Sequence, residues 1–198
     1  MAASDARIDG DNKMAVRTGI IVGSNRRESF NRRLALALEK LAADRLDFTW
    51  IRIDDLPMYN QDLEGHRPAV VDRFTAEVAS MVAILFVSPE HNRSVTAVLK
   101  NAIDWGSKPT DRNVWRGKIA AITGTSFGAI GTAVGQQHLR QILAILGMTV
   151  MGGEAYISFR PDPVDNEGNF LDDSKRAFCQ AYMNQFADLV DKLAPRAS

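Results

Sequence analysis

The chain has 198 residues, 45% of them hydrophobic and 24% charged, with 24 Lys and Arg balanced by 24 Asp and Glu. That size suits one globular domain with a full core, and the zero net charge leaves no overall electrostatic footprint for nucleic acid or an anionic membrane. A single cysteine, Cys179, excludes an intrachain disulfide, the scattered His66, His91 and His138 lack metal-ligand spacing, and no run approaches the ~20 apolar residues of a membrane span.

The first residues are polar and carry no apolar stretch of the secretory kind. Residues 1–15 are therefore expected to be a disordered leader, 16–198 the domain, and the protein cytoplasmic. Thr18–Val22 is apolar and β-branched and ends at Gly23-Ser24, as a buried strand before a turn does. Leu34, Leu38 and Leu41 then recur at helical spacing after Ser29. Phe48–Ile53 reads as a second strand, Pro57–Asp62 as a loop, and Val70, Val71, Phe74, Val78 and Met81 as a second helical face. Val82–Val87 has little alternation, which predicts a central strand ended by Ser88-Pro89. Val95, Val98, Leu99, Ala102 and Ile103 form a helical stripe. Ile119–Thr123 is the next strand, Gly124–Gly131 a Gly-rich loop, and Val134 to Leu146 another helix. Met148–Met151 and Tyr156–Phe159 are short strands, Pro161–Gly168 is turn-rich, and Phe178, Tyr182, Phe186, Leu189 and Leu193 mark the core face of a last helix.

This alternation predicts an α/β, doubly wound parallel sheet of five strands in the order 2-1-3-4-5, with helices on both faces. In open sheets of this kind ligands bind beyond the carboxyl ends of the strands, near the switch between strands 1 and 3. The most unusual segments of the sequence follow strands 1, 3 and 4, which points to one shared site.

The first segment, Gly23-Ser24-Asn25-Arg26-Arg27-Glu28-Ser29-Phe30-Asn31, joins a strand to a helix. Free N–H groups at a helix start, hydroxyl and amide donors from Ser24, Ser29 and Asn31, and the charge of Arg26 suit a phosphate monoester. The plainer alternative is that Ser29 only caps the helix and the arginines are solvated. The pattern is neither a Walker loop nor G-x-G-x-x-G. The second segment, Pro89-Glu90-His91-Asn92, is backed by Leu99-Lys100-Asn101-Ala102-Ile103-Asp104-Trp105. Asn101 and Asp104 read as buttresses of that loop and Trp105 as core. His91 is open between a pH-responsive ring beside a ligand and an exposed loop residue. The third segment, Gly124 to Gly131, offers close backbone approach. No Ser/His/Asp or paired-carboxylate constellation stands out, so no side chain is expected to be catalytic, and Cys179 reads as packing.

Gly23-Ser24-x-Arg26-x-x-Ser29-x-Asn31 resembles the signature of the NADPH-dependent FMN reductase family, which includes bacterial chromate and quinone reductases. Leu99–Trp105 matches the family outright, and the likeness extends over nearly the whole chain after residue 15. The resemblance implies a flavodoxin-like fold, FMN as cofactor and NADH or NADPH as co-substrate. It implies two-electron transfer to quinones, chromate or similar small acceptors, and a homodimer or homotetramer. By the same resemblance the FMN is held by Ser24, Arg26, Ser29, Phe30, Asn31, Pro89, Glu90, His91, Asn92 and Ser126. His91 stands where relatives carry tyrosine, and Gly131-Thr132-Ala133-Val134 lacks the arginine relatives often have there. The loop that holds Tyr59–Asp62 resembles family loops that reach towards a neighbouring subunit; the plainer alternative is a surface loop. The rival readings are a flavodoxin-type carrier, which such a neutral chain argues against, a flavin-binding sensor without turnover, and a nucleotide-binding module without flavin.

Overall fold

The computed structural model describes residues 15–194; residues 1–14, where the expected leader falls, lie outside them. The elements run β1 (Val16–Val22), α1 (Phe30–Ala42), β2 (Leu46–Trp50), α2 (Ala69–Ala79), β3 (Ala83–Val87), α3 (Ala97–Ser107), β4 (Ile119–Ser126), α4 (Ala133–Ile145), β5 (Thr149–Val150), β6 (Tyr156–Ser158) and α5 (Asp173–Leu193). The sheet is parallel in the order β2-β1-β3-β4-β5, with β6 also paired to β4. The predicted doubly wound order is therefore the observed one.

Side-chain alternation divides the core in two. Ile20, Leu85 and Ala121 face α1 and α5, packing on Leu34, Leu38, Met183 and Phe186. Their neighbours Ile21, Ile84, Phe86 and Ile122 face α2, α3 and α4, packing on Phe74, Leu99, Ile103 and Leu143. Every residue of β3 is buried, as its unbroken apolar run requires.

The fifth position of the sheet is filled by two short strands with a break between them. β5 pairs Ile119 and Ala120, and β6 pairs Gly124 to Ser126. Across the break, the buried Tyr182 hydroxyl donates to Ile122 O (2.6 Å) and accepts from Ile122 N (3.0 Å), while Thr123 Oγ1 donates to Ala155 O (2.9 Å). These side chains satisfy backbone groups that an unbroken strand would have paired. The pairing with β6 also carries β4 on to Ser126, so the first three residues of the expected Gly-rich loop are strand.

On α5 the buried face is Cys179, Tyr182, Met183, Phe186, Ala187 and Val190. Phe178 and Leu193, expected on that face, are about half exposed. Small Cys179 fits close to the sheet where the neighbouring Phe ring turns outward. Among the described residues no helix is long and apolar enough to cross a membrane, and no group of three or more His, Cys, Asp or Glu is placed to hold a metal.

Candidate functional site

The ends of β1, β3 and β4 meet around Ser88. A Cβ on Gly23 would fall on the Ser88 hydroxyl, and one on Gly124 would fall on the Ser88 carbonyl. Only glycine at both positions lets the three strands close up here, and the loops that leave them then face one another. Thr96 adds a tie: its hydroxyl donates to Gly23 O (2.8 Å) and accepts from Leu99 N (3.3 Å), capping α3 while holding the β1 end.

In the first loop, Ser29 is buried and caps α1, accepting from Arg32 N at 3.3 Å. The cap engages one of the helix's leading N–H groups, and no acidic residue lies in the first turn to neutralise its positive end. Ser24 Oγ accepts from Arg26 N at 3.4 Å, which leaves its hydroxyl hydrogen to donate. Arg26 is exposed, stands with its guanidinium 4.8 Å from the Phe30 ring centre, and has no carboxylate partner among the described residues.

Phe30 sits among other rings, 4.3 Å from Phe159 and 4.7 Å from Phe127 between centres. Arg33 stacks on Phe30 and Phe159 and binds Asp162 (3.2 Å), Val164 O (3.3 Å) and Asn166 Oδ1 (3.2 Å). It is thus a clamp on the Pro161–Gly168 segment and not a solvated helix arginine.

The second loop folds back on itself. His91 and Ser94 exchange backbone hydrogen bonds of 3.0 and 2.9 Å, with Asn92 and Arg93 both at positive φ between them (50° and 64°). This is the tight turn for which Asn is a favoured residue. Asn92 therefore turns the chain, and it lines a neighbouring hollow against α4, away from the strand-end cleft. Glu90 Oε2 accepts from Gly135 N (2.9 Å) and Oε1 from Arg93 (3.1 Å). The start of α4 thus already holds an anion from the protein, unlike the start of α1.

The residues behind this loop support a different one. Asn101 donates to Pro57 O (2.9 Å) and accepts from Tyr59 N (2.7 Å), and Trp105 Nε1 donates to Pro57 O (2.8 Å). They hold the segment after β2, not Pro89–Asn92, and Asp104 pairs with Lys100. Trp105 is fully buried, as expected of a core residue. The Tyr59 hydroxyl donates to Glu64 at 2.5 Å, and that carboxylate raises the phenol to about 12.

In the third loop the polar side chains are spent internally. Ser126 Oγ donates to Gly131 O (2.6 Å) and accepts from Gly128 N (3.2 Å). Asn31, from the first loop, donates to Thr125 O (3.0 Å) and accepts from Thr125 N (2.9 Å).

Together these segments enclose a cleft of about 570 Å³. Ser24, Arg26, Ser29, Phe30, Asn31, Pro89, Glu90, His91 and Ser126 line it, so of the residues marked from sequence only Asn92 falls outside. Thr96, Ala97, Val98, Thr125 and Phe127 line it as well and were not marked. Thr96 before an apolar helix is a readable cap signal, but nothing local shows that the start of α3 faces the β1 loop.

A sequence profile described as NADPH-dependent FMN reductase matches residues 16–162. A 2-hydroxy-1,4-benzoquinone reductase of a Burkholderia species is 43% identical over 178 residues, covering 89% of this chain and 97% of that protein. An NAD(P)H-dependent FMN reductase of Pseudomonas aeruginosa is 39% identical, covering 87% and 94%. Among solved structures, the flavoenzyme NAD(P)H:(acceptor) oxidoreductase FerB of Paracoccus denitrificans superposes with a TM-score of 0.86 at 38% identity, covering 90% of this chain and 99% of that one.

Proposed function

The chain belongs to the NADPH-dependent FMN reductase family, and on that premise we propose that it binds FMN in the strand-end cleft and passes two electrons from NAD(P)H to quinones. The observation that carries this is the convergence of three loops on one cleft beside a helix start that no carboxylate among the described residues occupies. The donor set there fits the group. The leading N–H groups of α1, the free hydrogen of Ser24 and Arg26, which has no carboxylate partner among the described residues, suit a phosphate dianion. Pro89–His91 and Thr125–Phe127 line the same cleft, and their backbone groups suit the polar edge of a flat ring.

In this reading the side chains divide by what they touch. Ser24 and Arg26 hold phosphate. Asn31, Ser29, Glu90 and Ser126 are positioning residues, since each spends its polar atoms on neighbouring backbone and thereby fixes a wall of the cleft. Phe30 and Phe127 make the apolar side. Bound FMN supplies the hydride and electron transfer; the protein binds, orients and excludes water, and none of its side chains is assigned to proton transfer. His91 is exposed at the cleft edge, where it meets the acceptor or its solvent. Chromate as a further acceptor, a cytoplasmic location, a domain running from residue 16 to the end and assembly into a homodimer or homotetramer belong to the same proposal. The exposed Ile145 and the hollow shared by α3 and α4 favour a partner copy.

The deciding experiment is to release and identify the flavin of the purified protein and assay NAD(P)H oxidation with a benzoquinone. FMN with turnover is expected. FAD, or no flavin after reconstitution, overturns the reading.

A further inference from the structure

Beyond the cleft, the outer side of the first loop borders a second hollow of about 420 Å³, between Ser24–Arg27 and Trp50–Asp54 at the carboxyl ends of β1 and β2. Ser24, Asn25 and Arg26 line both volumes, so the two spaces meet across the loop. Four arginines face this hollow: Arg26, Arg27, Arg32 and Arg52. Arg52 is already matched, because its guanidinium binds both oxygens of Asp54 at 2.6 and 3.1 Å. Arg26 is assigned to the FMN phosphate. Arg27 and Arg32 have no carboxylate partner among the described residues and are exposed. Two further positive charges thus line one hollow, beyond what one phosphate monoester uses, on a chain whose net charge is zero.

Trp50 lines the hollow. Its indole N–H donates to Glu39 at 2.9 Å, which fixes the ring, and Arg32 stands 5.0 Å from its centre. Arg32 covers the ring, and neither it nor Arg27 has a carboxylate partner among the described residues, so a purine with an attached phosphate can replace the guanidinium on the indole while the arginines turn to the phosphate in charge-assisted bonds.

We propose that this hollow takes the adenosine 2′-phosphate end of NADPH, with Arg27 and Arg32 on the 2′-phosphate and adenine against Trp50. The inference rests on the placement of FMN in the adjoining cleft, since the nicotinamide must reach that cleft while the adenosine lies outside the loop.

The test uses the FMN-loaded protein, with Arg27→Ala, Arg32→Ala and the double variant. The KM for NADPH should rise about tenfold or more for the double variant, with kcat and flavin content unchanged and the KM for NADH little altered. The Lys versions should recover part of the loss. Adenosine 2′,5′-bisphosphate should inhibit the parent protein, competing with NADPH, at least tenfold better than 5′-AMP, and the double variant should not distinguish them. Equal KM rises for NADH and NADPH, or equal inhibition by the two nucleotides in the parent, overturn the proposal. Flavin loss in a double variant whose melting temperature is unchanged also overturns it, by returning these arginines to the FMN cradle. Should the parent hold no flavin at all, it is the flavin reading that fails; calorimetric titration with the two adenosine phosphates then still decides whether the hollow selects a 2′-phosphate.

Discussion

Asn31 and Thr125 are 94 residues apart in the chain, yet the Asn31 carboxamide pairs with both backbone groups of Thr125, at 2.9 and 3.0 Å. The pair joins the first turn of α1 to the end of β4, so the first and third loops of the cleft are fixed to each other by one buried side chain. Asn31→Ala leaves the N–H and C=O of Thr125 without partners in a buried setting. A loss of about 1–3 kcal/mol is expected, read as a lower denaturant midpoint with an unchanged slope. Asn31→Asp should be no milder, because a carboxylate accepts from Thr125 N but cannot donate to Thr125 O.

Arg33 should behave as a structural residue. It stacks on two rings and bonds to three groups of the 162–166 segment, with its side chain only 18% exposed. Arg33→Ala is expected to cost about 1–2 kcal/mol, at the lower end of what breaking a partly buried network costs. A chain of this size should then melt roughly 2–8 °C lower. An Arg33→Ala protein with an unaltered melting temperature would show that the clamp contributes nothing.

Cys179 gives a pH signature. Burial pushes its thiol up to about 12 from an ordinary value of 9.0. The folded-state value is raised, so the stability it confers is complete below the ordinary value and is lost as pH rises towards 12. Native protein at pH 8 should leave this thiol unreactive to an aromatic disulfide reagent, and denaturant should expose it. Above pH 9 the denaturant midpoint should fall more steeply for the parent than for Cys179→Ala. Parallel declines would assign the alkaline loss to other groups.

Much of this was legible in the sequence because it is local. Strand and helix periods, Ser29 as a cap, the run Ala83–Val87 and the strand-end glycines each announce themselves within a few residues, and the open-sheet rule then gathers three loops into one cleft. What was not legible depends on partners far along the chain. Asn31 and Ser126 look like donors for a ligand until their backbone partners are seen. Arg33 looks solvated until Asp162 arrives beside it, and Asn101 looks like a support for the nearest loop when its acceptor is Pro57. Asn92 carried a signal that was open to reading, since an Asn before the helix is as good a turn former as a ligand. The two short strands Met148–Met151 and Tyr156–Phe159 are legible, but that both pair with β4 is not, because Tyr182, on a helix distant in sequence, supplies the pairing between them.

Phe127 and His91 are exposed on the lining of the cleft, and under the proposed function the nicotinamide donor and the quinone acceptor should take turns there. Initial-rate lines at several fixed quinone concentrations should be parallel, as in ping-pong kinetics, and each substrate should inhibit competitively at high concentration. Intersecting lines would require both to bind together and would contradict a single shared face.

The sharpest assignment within the cleft is Arg26. Four arginines of the first loop and helix start lie near one another, and the structure separates them. Arg33 is engaged by Asp162, Arg27 and Arg32 line the outer hollow with Arg32 against Trp50, and Arg26 stands over Phe30 in the cleft lining with no carboxylate partner among the described residues. Charge-assisted hydrogen bonds contribute roughly 1.5–3 kcal/mol. Arg26→Ala should therefore weaken FMN binding by about tenfold to a hundredfold, measured by fluorescence titration of flavin-free protein. Riboflavin, which lacks the phosphate, should lose far less. Equal losses for FMN and riboflavin would mean that Arg26 supports the loop through its contact with Phe30 and does not hold phosphate. Intact FMN affinity in Arg26→Ala, with affinity lost in Arg32→Ala, would move the phosphate to the outer side of the loop.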